Sequence, residues 1–260
     1  WYEVDKSKRA AKYVRQALQQ GADVVVVWGG DGMVQRAIDA IAGAPPRDRV
    51  PLAIVPAGTA NLLADNLGVP HEIEPAVAVA LYGDRRAIDV GVMNGEHFAV
   101  MGGTGFDALM IGDVNGRLKH RLRKLSYVLS GVKNVRVPRF EARVAVDGKR
   151  WFSGKASCVL VGNAGRIVGG IEVFPNAQLD DGRLEVGVVT ARGAVQWARA
   201  LGRAMFGDAA RSPFVEATSA RTIRIDLDRK LPYEIDGGTR SKAIRLKAKV
   251  APHAVDVCVP

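Results

Sequence analysis

The sequence is poor in the features that would quickly narrow its class. It holds two cysteines in 260 residues, Cys158 and Cys258. Each lies in an apolar, strand-like stretch with no second Cys or His at metal-ligand spacing. They read as reduced core residues, which argues against a disulfide scaffold and suits a cytoplasmic setting. No apolar run approaches the roughly 20 residues needed to cross a bilayer, so any membrane contact is expected to be peripheral. The first residues, Trp1-Tyr2-Glu3-Val4-Asp5-Lys6, lack the basic, apolar and small-residue order of a secretory signal. There is no internal repeat or low-complexity tract. Aromatic and basic residues do not interleave as a base-stacking surface requires, so no nucleic-acid partner is expected.

The remaining composition is that of a folded protein, 48% hydrophobic and 25% charged. A chain of this length accommodates one large or two modest domains. The formal net charge of +10 favours a polyanionic neighbour: nucleic acid, anionic phospholipid or nucleotide phosphates. Charge alone does not choose among them.

The first third alternates helix and strand. Helices are expected over residues 5–20, 34–42, 60–67 and 75–81, with Gly21 and Gly68 as stops. Residues 24–28 form a continuous β-branched run, the pattern of a strand covered on both faces, and residues 52–55 form the next strand. This is the signature of a doubly wound α/β layer, whose ligands sit at the carboxyl ends of its strands. Only residues 1–4 are available for a strand before the first glycine-rich loop. The expectation is therefore a small sheet, or a sequence that begins part-way through its first domain.

After residue 88 the pattern changes to short alternating strands. Those at 88–92 and 97–101 flank Asn94-Gly95, and those at 140–146 and from 150 onward flank Asp147-Gly148, both dipeptides suited to two-residue hairpins. Further strands are expected at 156–161, 184–189, 222–227, 243–247 and 254–259, with helices inserted near 117–135 and 194–206. The expected organisation is a doubly wound α/β domain over 1–88 and an antiparallel β-sandwich or open barrel over 89–260.

Two loops carry the chemistry. Gly29-Gly30-Asp31-Gly32 lies between a strand and a helix, where glycines let backbone N–H groups approach a phosphate and an Asp can reach a metal. Alone it could be a tight turn. Pro56-Ala57-Gly58-Thr59-Ala60-Asn61 repeats the arrangement one strand-helix unit later, with the Thr59 hydroxyl and Asn61 amide available to phosphate oxygens. Side by side at one sheet edge, the pair is a specific signal.

With these two loops, Gly103-Thr104-Gly105-Phe106-Asp107-Ala108, the stretch 175–184 and Ile235-Asp236-Gly237, the sequence resembles the diacylglycerol kinase catalytic domain family and its bacterial lipid kinase relatives, which share a superfamily with sphingosine kinases. The resemblance implies an ATP site between an α/β domain and a β-rich lipid-holding domain. It implies that Gly29, Gly30, Gly32, Gly58 and Thr59 meet the phosphates, that Asp31 helps organise magnesium and the acceptor, and that Asn61 supports the loop. Asp236 becomes the expected general base. Read without the resemblance, Asp236-Gly237 is an ordinary hairpin turn. Relatives usually carry Glu where this chain has Gly238, and many carry Asp where it has Leu62.

The resemblance further implies a structural magnesium site formed by Gln178, Asp181 and Arg183, the first and last through carbonyl oxygens. An Asx turn before a strand is the plainer reading of the same residues. Arg117, Lys119, His120, Arg121, Arg123 and Lys124 share a stretch with leucines at helical spacing, so a basic amphipathic helix is expected either to dock on an anionic membrane surface or to pack with a solvated basic face. His71, His97 and His253 read as structural or surface residues, and Trp28, Trp151 and Trp197 as packing groups. The reading is an ATP- and magnesium-dependent lipid kinase, with diacylglycerol the first acceptor, acting peripherally at the inner membrane face; self-association into a homodimer is left open. Rival readings are a sphingoid-lipid kinase, an NAD kinase and a non-catalytic membrane-associated pseudokinase.

Overall fold

A computed structural model of the chain describes residues 1–105, 139–167, 171–193, 196–197, 199–200, 203 and 212–260. The basic helix expected over 117–135 and Phe106, Asp107 and Ala108 lie outside the described residues, as does most of the helix expected over 194–206.

The chain opens with a 3-10 turn, Ser7–Arg9, and helix α1 (Ala10–Gln19). Gly21, at φ +75°, turns the backbone out of the helix, a conformation a side chain would strain. Strands β1 (Val25–Gly29) and β2 (Leu52–Pro56) pair in parallel, with Gly29 opposite Pro56. Helix α2 (Asp31–Ala42) joins them, and α3 (Leu62–Leu67) and α4 (Ile73–Tyr82) follow β2. α2 begins three residues earlier than the apolar pattern predicts, because Asp31 and Gly32 leave no hydrophobic mark yet already belong to its first turn.

The valine run does not become a strand covered on both faces. Alternate residues of β1 are buried, while Val26 and Trp28 are 49% and 51% exposed. Val25 and Val27 pack with Ala11, Val14 and Ile38 on one face, and among the described residues β1 ends the strand order. Ile38, Ile41, Leu52 and Ile54 are almost wholly buried there, each contributing about 1.5–3 kcal/mol of transfer free energy.

The second half contributes β3 (Asp84–Met93), β4 (Glu96–Phe98), β5 (Met101–Thr104), β6 (Phe140–Val146), β7 (Lys149–Ala156), β8 (Cys158–Gly162), β9 (Arg166–Ile167), β10 (Ile171–Glu172), β11 (Leu184–Val189), β12 (Val215–Ala220), β13 (Thr222–Ile235) and β14 (Gly238–Val259). Among the described residues the main sheet runs β1-β2-β14-β13-β5-β8-β11-β12, with β3 and β4 attached through β14, and β6 and β7 through β13. The long last strand spans both halves. At one end it pairs with β13, and at the other its Val257 lies parallel to Leu52 of β2.

Among the described residues two large apolar cores result, with a smaller cluster of Ala53, Val79, Ala80 and Cys258 beside them. One gathers α2, α3, β1 and β2 with Ala99, Val100 and Met101; the other gathers Phe98, Phe140, Phe152, Ile225 and Ile235 from the antiparallel strands. Cys158 and Cys258 are both buried, as their apolar surroundings predict.

Candidate active site

The two glycine loops meet. The Ala57 N–H donates to the Gly29 carbonyl at 3.0 Å. A β-carbon placed on Gly58 would come within 2.5 Å of the Gly30 Cα, and one on Gly30 within 2.9 Å of the Gly58 Cα. Both positions therefore need glycine for the backbones to touch. The second loop is braced from within, Asn61 Oδ1 accepting the Gly58 N–H at 2.8 Å and Nδ2 donating to the Gly58 carbonyl at 3.0 Å. Asn61 is buried and sits at φ +50°, a left-handed conformation that asparagine tolerates better than most residues. It supports the loop, whereas Thr59 at its tip is exposed.

Asp31 is the first residue of α2, where the helix dipole favours a negative charge. Its Oδ1 accepts the Leu62 N–H at 2.5 Å, so the carboxylate ties the first loop to the start of α3. Burial raises its pKa above the ordinary carboxylate value, against the lowering effect of that N–H. Leu62 itself turns into the core, so this position supplies the cluster with a backbone donor and no acid.

Asp236 and Gly237 form the two-residue turn between β13 and β14, with Ile235 opposite Gly238 and φ +42° and +75°. The plain hairpin reading and the functional reading thus describe one object. The Asp236 side chain folds inward, only 7% of the residue remaining exposed. Oδ2 accepts the Ala99 N–H at 2.8 Å, while Oδ1 accepts those of Val100 at 3.0 Å and Met101 at 2.9 Å. Burial pushes its pKa up to about 6; the three N–H donors oppose the rise and the Asp31 charge adds to it. Asp31 and Asp236 therefore share one electrostatic neighbourhood.

This cage explains a departure from the sequence pattern. A single strand is expected over 97–101, but the structure breaks it into β4 and β5. Three consecutive N–H groups turn to one carboxylate there: Ala99 and Val100 fall between the strands, and Met101 opens β5. The carbonyls behind them are held by Asn163, whose N–H donates to Val100 at 2.8 Å and whose Nδ2 donates to Ala99 at 2.9 Å. Asn163 is missed by sequence reasoning because a lone Asn after a strand carries no spacing signal.

A further polar cluster lies beside the turn. Glu96, on β4, accepts hydrogen bonds from both Arg240 and Gln35 and pairs with Arg36 at 2.9 Å. Burial alone would raise the Glu96 pKa, but the Arg240 hydrogen bond and charge, with Arg36, hold it below its ordinary value. His97 is structural: its N–H and Nδ1 both face Asp39 Oδ1, at 3.0 and 2.9 Å.

The residues expected at the structural magnesium site lie apart from this group, in the loop before β11. Asp181 Oδ1 accepts the Arg183 N–H at 2.9 Å, which is an Asx turn. Buried Asp89 fastens the loop, accepting the Gly182 N–H at 2.6 Å and donating its own N–H to the Leu179 carbonyl. One carboxylate and two carbonyls suit an oxygen-seeking cation in kind. Among the described residues no group of three or more His, Cys, Asp or Glu converges as a metal cluster, and no helix is long and apolar enough to cross a membrane.

Comparison with known proteins agrees with this layout. Residues 1–93 match the diacylglycerol kinase catalytic domain, and residues 100–259 match the YegS C-terminal NAD kinase beta sandwich-like domain. Similar curated proteins include "Probable lipid kinase YegS-like" of Pectobacterium atrosepticum, 35% identical over 70% of this chain and 61% of the relative's length. The diacylglycerol kinase of Bacillus subtilis is 27% identical over 88% of this chain and 75% of its own. The chain thus spans about three fifths of the length of the first of these relatives. A solved diacylglycerol kinase structure from Bacillus anthracis shares the fold, with a TM-score of 0.77 at 24% identity over 100% of this chain and 84% of that one.

Proposed function

Because this chain belongs to the family that joins a diacylglycerol kinase catalytic domain to a YegS C-terminal NAD kinase beta sandwich-like domain, we propose that it transfers the γ-phosphoryl group of ATP to a lipid hydroxyl. Diacylglycerol is the first acceptor to test and a sphingoid lipid the second.

The observation that carries this reading is Asp236, a buried carboxylate with its pKa raised to about 6, in the same neighbourhood as Asp31 and the crossed glycine loops. A general base works best when its pKa lies near the working pH. Phosphoryl transfer asks the protein chiefly for positioning and for stabilisation of spread negative charge.

In the proposed step the acceptor oxygen forms a bond to the γ-phosphorus while the bond from that phosphorus to the β,γ-bridging oxygen breaks. ADP leaves, and the hydroxyl proton passes to Asp236. Oδ2, with one backbone donor against two on Oδ1, is the oxygen better able to take it. Gly29, Gly30, Gly32 and Gly58 admit the phosphates close to the backbone, and the start of α2 presents the positive end of its dipole. Magnesium, when bound with the nucleotide, would neutralise charge on the phosphate oxygens, and Asp31 is the residue that would hold it. The loop containing Gln178, Asp181 and Arg183 is proposed as a second, structural magnesium site. The acceptor chemistry calls for work at a membrane surface, which the net charge of +10 favours when that surface is anionic.

Transfer of labelled phosphate from ATP into mixed micelles carrying diacylglycerol, a sphingoid base or no lipid, with NAD as a soluble comparison, tests this directly. Label in a lipid product that disappears with Asp236→Asn is the expected result. Label in NAD alone, or in no acceptor at all, would overturn the lipid kinase reading.

A further inference from the structure

The Asp236 turn is tied to the helix that starts at Asp31 by an unbroken set of polar contacts. Along one face of α2, Gln35 donates to the His97 carbonyl at 2.7 Å and to Glu96 Oε1 at 3.3 Å, and Arg36 pairs with that same oxygen at 2.9 Å. From the opposite side, Arg240 Nε donates to Glu96 Oε2 at 2.8 Å and Nη2 donates to Oε1. Arg240 Nη1 turns back to the Gly238 carbonyl at 2.7 Å, one residue beyond the Asp236-Gly237 turn. One carboxylate thus gathers two guanidinium groups and an amide from two separate elements.

The side chains of Arg240, Glu96 and Arg36 are only 15%, 21% and 25% exposed. Burying such an ion cluster brings little net stability, because desolvation offsets attraction; its best-attested benefit is fixed geometry. Arg240 also feels the Asp236 charge. Space is tight on the turn itself, since a β-carbon on Gly238 would lie 2.5 Å from Arg240 Nη1. The guanidinium therefore covers the position that any side chain at 238 would enter.

We propose that Glu96 and Arg240 are positioning residues for the transfer, forming a latch that holds the Asp236 turn at one fixed separation from the phosphate loops. This rests on the reading of Asp236 as the base. The bidentate grip on Glu96 and the third bond to Gly238 need a planar fork, which lysine cannot supply. Glu96 and Arg240 touch neither nucleotide nor acceptor in this scheme; they act through Asp236.

The test uses the full chain with the acceptor that the micelle experiment selects. Arg240→Gln, Glu96→Gln and Gly238→Ala are each expected to lower kcat roughly 10- to 100-fold, the scale of a misplaced reacting group. KM for ATP should stay within about threefold, and the loss of kcat should persist at temperatures well below any lowered melting temperature. The double variant Glu96→Gln with Arg240→Gln should be no slower than the worse single one, as for two parts of one device. Arg240→Lys should not recover turnover. Amide exchange at Ala99, Val100 and Met101 should quicken in Arg240→Gln whether or not an acceptor is present. Parental turnover in the single variants, additive losses in the double one, or losses that only follow lowered melting temperature would each overturn the latch. Asp236→Asn separates the two readings: if it keeps turnover, the base assignment fails and the latch with it. If it is inactive while the latch variants run at the parental rate, the latch alone fails.

Discussion

Asp147-Gly148 and Asp236-Gly237 are the same device in two settings. Both are two-residue turns, at φ +47° and +79° and at +42° and +75°, closing β6 to β7 and β13 to β14. Both carboxylates accept backbone N–H groups, Asp147 from Arg221 and Thr222 and Asp236 from Ala99, Val100 and Met101. Yet the first is exposed to water and its pKa is lowered, chiefly by the Thr222 N–H. The second is buried and its pKa rises to about 6. Sequence and backbone agree, and the number of donors is similar, so water makes the difference: desolvation of the charged form outweighs three hydrogen bonds. One turn is a structural corner, and the other holds the proposed base.

Substitution should separate the two turns most sharply in turnover. Asp236→Asn is expected to lower kcat by about 10²- to 10⁴-fold, the usual worth of a general base, whereas Asp147→Asn should leave it within about twofold; initial rates of lipid phosphorylation decide. The pH dependence should carry the same signature, the acid limb of kcat in the parent having its midpoint near the Asp236 value of about 6.

Stability should respond in the opposite sense. Because the folded-state pKa of Asp236 lies above its ordinary value, the stability linked to its proton is complete below about pH 4 and lost as pH rises through 6. Asp236→Asn should therefore stabilise the fold by up to about 3 kcal/mol at alkaline pH and add nothing at pH 4, as read by urea unfolding. Asp147 has a lowered pKa, so its contribution is present above the ordinary carboxylate value and fades as pH falls. Asp147→Asn should cost a little at neutral pH and nothing in acid.

The glycines extend the contrast. Gly58→Ala forces backbone against Gly30 and should weaken ATP binding at least tenfold by calorimetry. Gly148→Ala meets open space and only its positive φ resists it. The expected effect is a loss of about 1 kcal/mol there, with ATP binding unchanged.

The sequence makes legible what local pattern controls. The crossed loops show themselves because glycine, a strand before and a helix after recur twice at close spacing, and parallel pairing then leaves little choice about where they meet. The hairpins at Asn94, Asp147 and Asp236 are marked by their dipeptides. Long-range pairing hides the rest. Nothing near Asp236 announces that Ala99 and Val100 will interrupt a strand and, with Met101, turn their N–H groups to it, and nothing near Glu96 points to Arg240 or Arg36. β1 looks doubly covered because a valine run records hydrophobicity and β-propensity but not which face meets a neighbour. The Asx turn of Asp181 is readable because its partner, Arg183, is two residues away.

The parallel contact between Val257 and Leu52 has a consequence for how the molecule comes into being. A nascent chain can emerge from the ribosome with both glycine loops already made and still lack the strand that flanks β2, since that strand lies far downstream in the sequence. The α/β layer must wait, its β2 edge open to other unpaired strands, until β14 arrives. Such late, non-local closure slows folding, and it joins the fate of the two halves: a chain without β14 loses the strand beside β2 as well as the β13–β14 hairpin.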